Sequence, residues 1–247
     1  MQGLRVTTSW DDGHPLDLRI ADELASHGMQ GTFYVPLRNS EGRAVMDAHA
    51  LRQLAASFEI GGHTHDHVRL ARLPLDVARA QIADGKAQLE DILGREVVGF
   101  CYPGGAYTPA IRELVRSLGF AYARTTENLR LDADGDPYQL PTTVQLYRHA
   151  RRTYLKNYAR RRNWRARATA LGTVLRAGRD IGELVERLLE HAAAGQGVLH
   201  VWGHSWELEE QQLWPVLARV LRAIARTVPA DARVTNAVLV GDAARQR

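Results

Sequence analysis

Short apolar runs alternate with segments of helical periodicity along most of this 247-residue chain. Eight such runs predict β-strands, and they cover 4–10, 31–35, 58–62, 97–102, 120–123, 142–146, 197–202 and 233–239. Six segments with apolar residues every three to four positions predict helices, at 16–27, 48–56, 75–93, 109–118, 181–194 and 207–227. Alternation of strands and helices indicates parallel strands joined by right-handed crossovers.

The number of these units favours a barrel over an open sheet. A chain of this length with 45% hydrophobic residues suits one large α/β domain or two small ones. No internal repeat and no linker rich in Pro, Gly or Ser divides it. We therefore predict one α/β barrel-like domain over 1–247. The basic, helix-prone segment 148–179 interrupts the alternation and is predicted to be a helical excursion, which could serve as a lid or side arm.

Cysteine content and the start of the chain limit the function classes. Cys101 is the only cysteine, which excludes a disulfide framework and a thiolate zinc cluster, so any metal must be held by His and carboxylates. Residues 1–5 lead into the first strand without the charged and apolar regions of a signal peptide. No run approaches the roughly 18 apolar residues of a membrane span. We expect a cytoplasmic protein without a transmembrane segment.

Polar residues cluster where four of the predicted strands end. Asp11-Asp12-Gly13 follows the first strand, His63 to His67 the third, Pro103 to Tyr107 the fourth, and Gly203 to Glu207 the strand at 197–202. The carboxyl ends of parallel barrel strands lie on one face, where barrel enzymes carry their active sites. We therefore expect these four segments to converge on one site.

Two of these segments together offer the ligands of a metal ion. His63 and His67 are four residues apart, so both imidazoles can bind one cation if the backbone turns between them. The adjacent carboxylates Asp11 and Asp12 can supply a third ligand. An Asp-His-His set leaves a coordination position open, as catalytic sites do and structural sites do not. The chain is thus predicted to be a metallohydrolase.

The same motifs carry a family resemblance that extends over roughly 4–239. Thr8 to Gly13, His63 to His67, Phe100 to Gly105 and Leu199 to His204 resemble the ordered motifs of the polysaccharide deacetylases with the NodB homology domain, carbohydrate esterase family 4. The resemblance implies a distorted (β/α)7 barrel and one divalent metal, usually zinc, with cobalt or nickel as further candidates. It also implies hydrolysis of an N-acetyl or O-acetyl group on a glycan.

Transferred residue by residue, the resemblance implies a role for each polar position. It makes Asp12, His63 and His67 the metal ligands and Asp11 the general base. This division agrees with the chemistry, because two adjacent carboxylates do not comfortably share one ion and the free one can accept a proton from water.

Further roles concern the leaving group and the substrate. The resemblance makes His204 the general acid, although His200 shares its strand face and stays an alternative. The backbone N–H of Gly104 matches the donor to the oxyanion. Tyr102 and Trp206 are expected to contact the substrate.

Two positions depart from the family pattern. Many members have an arginine at position 101, which orients the base, and an aromatic residue at position 104, whereas this chain has Cys101 and Gly104. Asp11 then needs another cationic partner, for which Arg124 and Arg148 are candidates. The family aspartate that tunes the catalytic histidine has no identified counterpart.

Positive charge is concentrated in one segment of the chain. Although the net charge is only +4, residues 148–167 contain nine Lys and Arg and no Asp or Glu, interleaved with Tyr and Trp. This segment can bind an anionic ligand or a sugar, or can be a solvated helical face; nucleic acid is not expected.

The leading hypothesis is removal of an acetyl group, N-acetyl before O-acetyl, from a saccharide or glycan precursor, including anionic nucleotide- or lipid-linked sugars. The alternatives are a C–N hydrolase of a non-sugar amide or cyclic imide and a non-catalytic sugar-binding barrel. The sequence leaves the oligomeric state undefined.

Overall fold

The computed structural model describes residues 3–160, 164–178 and 180–244. Arg161 and Arg162 of the basic segment therefore lie outside the described residues. None of the described helices combines the length and the apolar character needed to cross a lipid bilayer.

Within the described ranges, seven parallel strands form one curled sheet, in the order β5-β4-β3-β2-β1-β7-β6. The strands are β1 (Arg5–Asp11), β2 (Thr32–Val35), β3 (Glu59–Gly62), β4 (Gly99–Cys101), β5 (Tyr122–Arg124), β6 (Val144–Gln145) and β7 (Val198–Gly203). The central strands β1 and β7 are buried along almost their whole length, as expected for parallel strands covered by helices. The predicted α/β class and the distorted barrel of seven strands are confirmed.

The segment between β5 and β6 brings the two edges of the sheet together. Leu140 forms a parallel bridge with Arg124 of β5, and four residues later Val144 pairs with Val201 of β7. One short segment thus contacts both edge regions, which curls the sheet and directs the carboxyl ends of its strands toward a common centre.

Helices follow the strands and cover the outside of the sheet. They are α1 (Asp17–Ser26), α2 (Ala48–Ala55), α3 (Leu75–Leu93), α4 (Pro109–Ser117), α5 (Arg151–Arg160), α6 (Trp164–Arg176), α7 (Ile181–Ala194), α8 (Ser205–Glu210), α9 (Trp214–Thr227) and α10 (Asn236–Ala244). Apolar residues at helical spacing face the core, as in α7 with Leu184 and Leu188 and in α9 with Leu217 and Leu221.

Two predicted elements differ from the structure. The strand predicted at 233–239 is only a bridge between Arg233 and Val6, after which Asn236 begins α10. The buried Asn236 side chain donates to Tyr34 Oη at 2.8 Å and accepts from Thr7 Oγ1 at 2.8 Å. These bonds fix the start of a helix, so the apolar run after Asn236 buries helical rather than strand positions.

The helix predicted at 207–227 is divided into α8 and α9. Gln212, between them, has a φ of 53°, in the left-handed region that a continuing helix cannot use. Pro215 lies in the first turn of α9, where its missing N–H breaks no helical hydrogen bond. A proline at this position favours a new helix start over continuation of α8.

The basic excursion consists of α5 and α6, and it is anchored to the barrel by Arg167. This buried guanidinium donates from Nε to Asn128 O at 2.8 Å and from Nη2 to Asn128 Oδ1 at 2.9 Å. Its Nη1 donates to Tyr158 O of α5 at 3.3 Å. One arginine therefore links both excursion helices to the loop after β5, whereas Arg151, Lys156 and Arg165 are exposed.

Candidate active site

A cavity of about 180 Å³ lies at the carboxyl ends of β1, β3, β4 and β7. The structure places seven of the eight predicted site residues on its wall: Asp11, Asp12, His63, His67, Gly104, His204 and Trp206. Segments distant in sequence meet here because parallel strands end at the same edge of the sheet.

The three predicted metal ligands lie close together. Nε2 of His67 is 3.0 Å and Nε2 of His63 is 3.7 Å from Oδ1 of Asp12, and the ligand atoms of all three lie within 4.8 Å of one another. Asp12 and His67 have φ angles of 80° and 55°, a left-handed conformation that is costly for residues other than glycine. Such backbone strain is typical of functional sites, and here it directs two ligand side chains inward.

The donor set fits a divalent cation. Nδ1 of His63 donates to Cys101 O at 2.8 Å, which leaves the lone pair on Nε2 directed toward Asp12. Burial lowers the pKa of His63 to about 4 and keeps the imidazole neutral, the form that binds metals. Oδ1 of Asp12 is buried and, among the described residues, accepts no hydrogen bond of acceptable geometry. A cation between these three groups would compensate that buried oxygen.

A second group of the same kind, formed by Asp11, His63 and Cys101, also has its ligand atoms within 4.8 Å of one another. It is a poorer metal site for two reasons. Burial raises the pKa of the Cys101 thiol well above its usual value, which disfavours the thiolate that a metal requires. In addition, Asp11 already forms a buried ion pair.

The partner of Asp11 in that ion pair is Arg124. Nη2 of Arg124 donates to Oδ1 of Asp11, and both side chains are buried. The guanidinium also lies 4.7 Å from the ring centroid of Trp202, a cation–π contact that holds its plane. Of the two candidate partners, Arg124 is therefore the one that orients Asp11. Arg148 instead donates at the surface to Gln211 O, at 2.7 Å.

His204 faces the metal ligands from the end of β7. Its Nε2 lies 4.0 Å from Oδ2 of Asp12, and its Nδ1 bonds Oε2 of Glu207 at 2.7 Å. Burial lowers the pKa of His204, but the hydrogen bond to Glu207 and the negative charges of Asp12, Glu207 and Asp11 outweigh burial and raise it to about 9. The imidazole is thus held in the protonated form, with Nε2–H available to donate a proton.

Glu207 is itself held by a chain of hydrogen bonds that the sequence does not reveal. Nε2 of Gln145 donates to Oε2 of Glu207 at 2.8 Å, and Oε1 of Gln145 accepts from Nε2 of His149, also at 2.8 Å. From sequence alone, Glu207 fits a helix-start residue equally well. The spacing of three residues from His204 across the first turn of α8 is the one signal that could have identified it.

Two residues that the sequence offers as site candidates lie elsewhere. His200 is buried, with Nε2 bonded to Ser9 Oγ at 2.8 Å and Nδ1 to Pro141 O at 3.0 Å, and burial lowers its pKa to about 3. It is therefore neutral and occupied, and does not fit the role of acid. Tyr102 is fully buried, and its hydroxyl donates to Tyr138 O at 3.1 Å, so its position does not fit the predicted substrate contact.

Gly104 and Trp206 form the mouth of the cavity. Gly104 has a φ of 63°, and a Cβ at this position would lie 3.2 Å from Nε of Arg69. An aromatic side chain at 104 would thus displace Arg69, which lines the cavity in its place. Trp206 donates from Nε1 to Oδ2 of Asp12 at 2.9 Å and is covered by the guanidinium of Arg43 at 3.2 Å from the ring centroid.

A seven-stranded α/β barrel with this Asp-His-His group, an arginine-bound carboxylate and a carboxylate-supported histidine at its strand ends defines a hydrolase of the NodB-type barrel class. Comparison with protein families agrees: residues 3–123 match the model of the polysaccharide deacetylases. About half of the chain, from β1 through β4 into β5 and with both predicted metal-ligand motifs, thus matches the polysaccharide deacetylase family.

Solved structures show the same fold over nearly the whole chain. A protein from Mycobacterium smegmatis described as a candidate polysaccharide deacetylase aligns with a TM-score of 0.67 at 17% identity, covering 99% of this chain and 91% of the other. The chitin deacetylase of Colletotrichum lindemuthianum aligns at 0.60 and 16%, covering 98% and 88%.

A family 4 acetyl xylan esterase from Clostridium thermocellum, whose structure contains a cobalt ion, aligns with a TM-score of 0.55 at 19% identity, covering 96% of this chain and 90% of the other. At these identities the likeness establishes the fold. Comparison with curated protein sequences gave no match.

Proposed function

We propose that this protein is a metal-dependent deacetylase that removes an N-acetyl group from a saccharide or glycan precursor. The observation that carries the proposal is the buried group of Asp12, His63 and His67, with ligand atoms within 4.8 Å of one another, beside a second carboxylate that arginine holds apart. One carboxylate is free to bind a cation while the other is free to act as a base. A sugar-binding barrel without activity would need neither this division nor a protonated histidine opposite.

A divalent cation held by Asp12, His63 and His67 would polarise the acyl oxygen and lower the pKa of water. Asp11, oriented by Arg124, accepts the proton of the attacking water as general base. The N–H of Gly104 donates to the oxygen that gains negative charge. His204 then donates its Nε2 proton to the leaving nitrogen, so that the amine rather than its anion departs.

The protonation state of His204 supports an N-acetyl over an O-acetyl substrate. An amide nitrogen leaves only when it is protonated, and a histidine with a pKa raised to about 9 carries that proton at neutral pH. The compared structures include both a chitin deacetylase and an acetyl xylan esterase, so the fold serves both reactions. For this chain, the preference for an N-acetyl substrate therefore rests on its own general acid, His204.

The donor atoms and the charge distribution support a choice of metal and of substrate. One Asp and two His fit zinc, with cobalt and nickel as further candidates, and the acetyl xylan esterase contains cobalt. Arg69 at the mouth and the exposed bases of α5 favour an anionic group further along the substrate, as in nucleotide- or lipid-linked sugars. A cytoplasmic location agrees with such a substrate and stays a prediction.

The test is a screen for acetate release by the purified chain with zinc or cobalt, using N-acetylated sugars, nucleotide sugars, chito-oligomers, O-acetylated xylan, simple amides and cyclic imides. We expect about one metal per chain after dialysis and release of acetate from N-acetylated sugars, both abolished by a chelator. Turnover of cyclic imides without sugar turnover would favour the C–N hydrolase alternative. Acetate release that is insensitive to complete metal removal would refute the metal role.

A further inference from the structure

A second cavity, of about 280 Å³, adjoins the first on the side of His204. The two share Gly104, Thr126, Trp202 and His204, whereas among the described residues the three metal ligands line only the first. The opposite wall of the second cavity comes from α5, through Tyr154 and Asn157. The excursion helix thus encloses the acid side of the active site.

Two buried donors in this cavity lack a hydrogen-bond partner among the residues that the structure describes. The hydroxyl of Tyr154 and Nε1 of Trp202 are inaccessible to solvent, and the two residues are only 3% and 7% exposed. Neither atom forms a hydrogen bond within the described ranges. Leaving a buried polar group unpaired costs free energy, so native structures rarely do so without a reason. The two side chains come from different elements, α5 and β7, and both residues line this cavity. Tyr154 also lines a cavity of about 610 Å³ that includes Arg148 and Ile181.

The chemistry of the wall identifies its ligand. None of the described residues lining this cavity is Asp, Glu, Lys or Arg, and the one charged group is the protonated imidazole of His204, at the border with the first cavity. The rest of the described wall combines aromatic rings with neutral amide, hydroxyl and imidazole groups. This lining matches an uncharged ring with several hydroxyls, which accepts from O–H and N–H donors and packs its C–H faces on aromatic side chains. The bases Arg152, Lys156 and Arg165 of the excursion are exposed instead, and Arg151 donates to Ala177 O.

We propose that the excursion helix α5 supplies a sugar-binding wall of the active site, on which Tyr154 and Asn157, facing Trp202, bind the uncharged pyranose ring that bears the scissile acetamido group. The inference rests on the proposed function, because it places the acyl group in the first cavity and the leaving nitrogen beside His204. The two cavities together have the size of a small-molecule site, which is about 300 to 1,000 Å³. Any anionic group of the substrate then lies beyond this ring.

The test compares Tyr154→Phe with Tyr158→Phe, a matched change on the same helix. Tyr158 does not line the cavity, and its hydroxyl donates to Trp164 O at 2.9 Å. We expect Tyr154→Phe to weaken binding of N-acetylglucosamine and its β-1,4-linked dimer about three- to tenfold, the usual effect of one neutral hydrogen bond. Ligand-observed NMR measures this binding without turnover, and kcat/KM for acetate release should fall by the same factor.

Further readouts separate sugar binding from a structural role. Because the Tyr154 hydroxyl has no hydrogen-bond partner in the described part of the chain, Tyr154→Phe should not lower Tm, whereas Tyr158→Phe, which loses the bond to Trp164 O, should lower it. Equal sugar binding by Tyr154→Phe and the wild type, equal weakening by both variants, or no sugar binding by the wild type would overturn the inference. Sugar binding that depends on Tyr154 without any acetate release would uphold it and refute the deacetylase proposal instead.

Discussion

Replacing Glu207 with Gln removes the carboxylate that supports His204 and keeps the size of the side chain. In the wild type, Nδ1 of His204 bonds Glu207 at 2.7 Å, both side chains are largely buried, and the pKa of His204 is raised to about 9. A hydrogen bond to a charged group contributes about 1.5–3 kcal/mol, and one pKa unit corresponds to about 1.36 kcal/mol. The variant should therefore lower the pKa of His204 by about one to two units.

The direction of the effect follows from the proton that the acid must carry. His204 acts when it is protonated, so kcat/KM should fall as pH rises through its pKa, and Glu207→Gln should move this alkaline limb about one to two units toward lower pH. The raised pKa also stabilises the fold below the unfolded value of about 6.5, and this contribution is lost as pH rises through about 9. Glu207→Gln should therefore lower Tm at pH 6 more than at pH 10.

The assay is the pH profile of acetate release from an N-acetylated sugar, with thermal unfolding at both pH values. The matched control is Glu210→Gln on the same helix, since Glu210 is 61% exposed and pairs only at 3.4 Å with Arg43. It should leave the alkaline limb in place. An unchanged limb in Glu207→Gln, or equal shifts in the two variants, would refute the assignment of His204 as an acid tuned by Glu207.

Three further predictions concern the base and a metal ligand, the arginine that orients the base, and the excursion. Asp11→Asn should abolish acetate release and retain the metal, whereas His67→Ala should lose both, as measured by metal analysis after dialysis; equal metal loss would contradict the two roles. Arg124→Gln leaves a buried carboxylate unpaired and should destabilise the fold by about 3–5 kcal/mol in denaturant unfolding, whereas a stable variant would show that the ion pair is dispensable. Replacing the exposed Arg152 and Lys156 with Ser should raise KM for a nucleotide-linked sugar at low salt and much less at 0.5 M salt, because salt screens exposed charges. An unchanged KM would show that these two bases are solvated surface without a role in substrate binding.

The sequence predicted the elements and their convergence because both depend on local signals. Seven strand positions, the barrel and the meeting of four polar segments follow from apolar periodicity and from the common edge at which parallel strands end. The strand predicted at 233–239 was wrong because an apolar run buries equally well as a helix, and the bonds of Asn236 to Thr7 and Tyr34 decided between them. Such contacts join residues about 200 positions apart and leave no local trace.

The residues that support the site were less predictable than its expected metal ligands, because they also lie far away in sequence. Metal ligands occur in compact motifs, but the groups that orient them can come from any neighbouring element. Gln145 reaches Glu207 from β6, and Tyr154 reaches the second cavity from an excursion that the strand-helix alternation does not include. Side chains of this kind become visible only when the strand order is known.

The partner of Asp11 comes from the strand next to the one on which the family motif places its arginine. The resemblance leads us to expect an arginine at position 101 of β4, and this chain has a small cysteine there instead. Cys101 is the register partner of Arg124 on β5, so the guanidinium enters at the same level of the barrel from the next strand. The small Cys101 side chain, with Sγ 3.8 Å from Oδ2 of Asp11, leaves the space that Arg124 crosses to reach Oδ1. The chain therefore has a buried Asp-Arg pair in which the arginine comes from β5 instead of β4. The absence of arginine at position 101 is thus compatible with Asp11 as the proposed base.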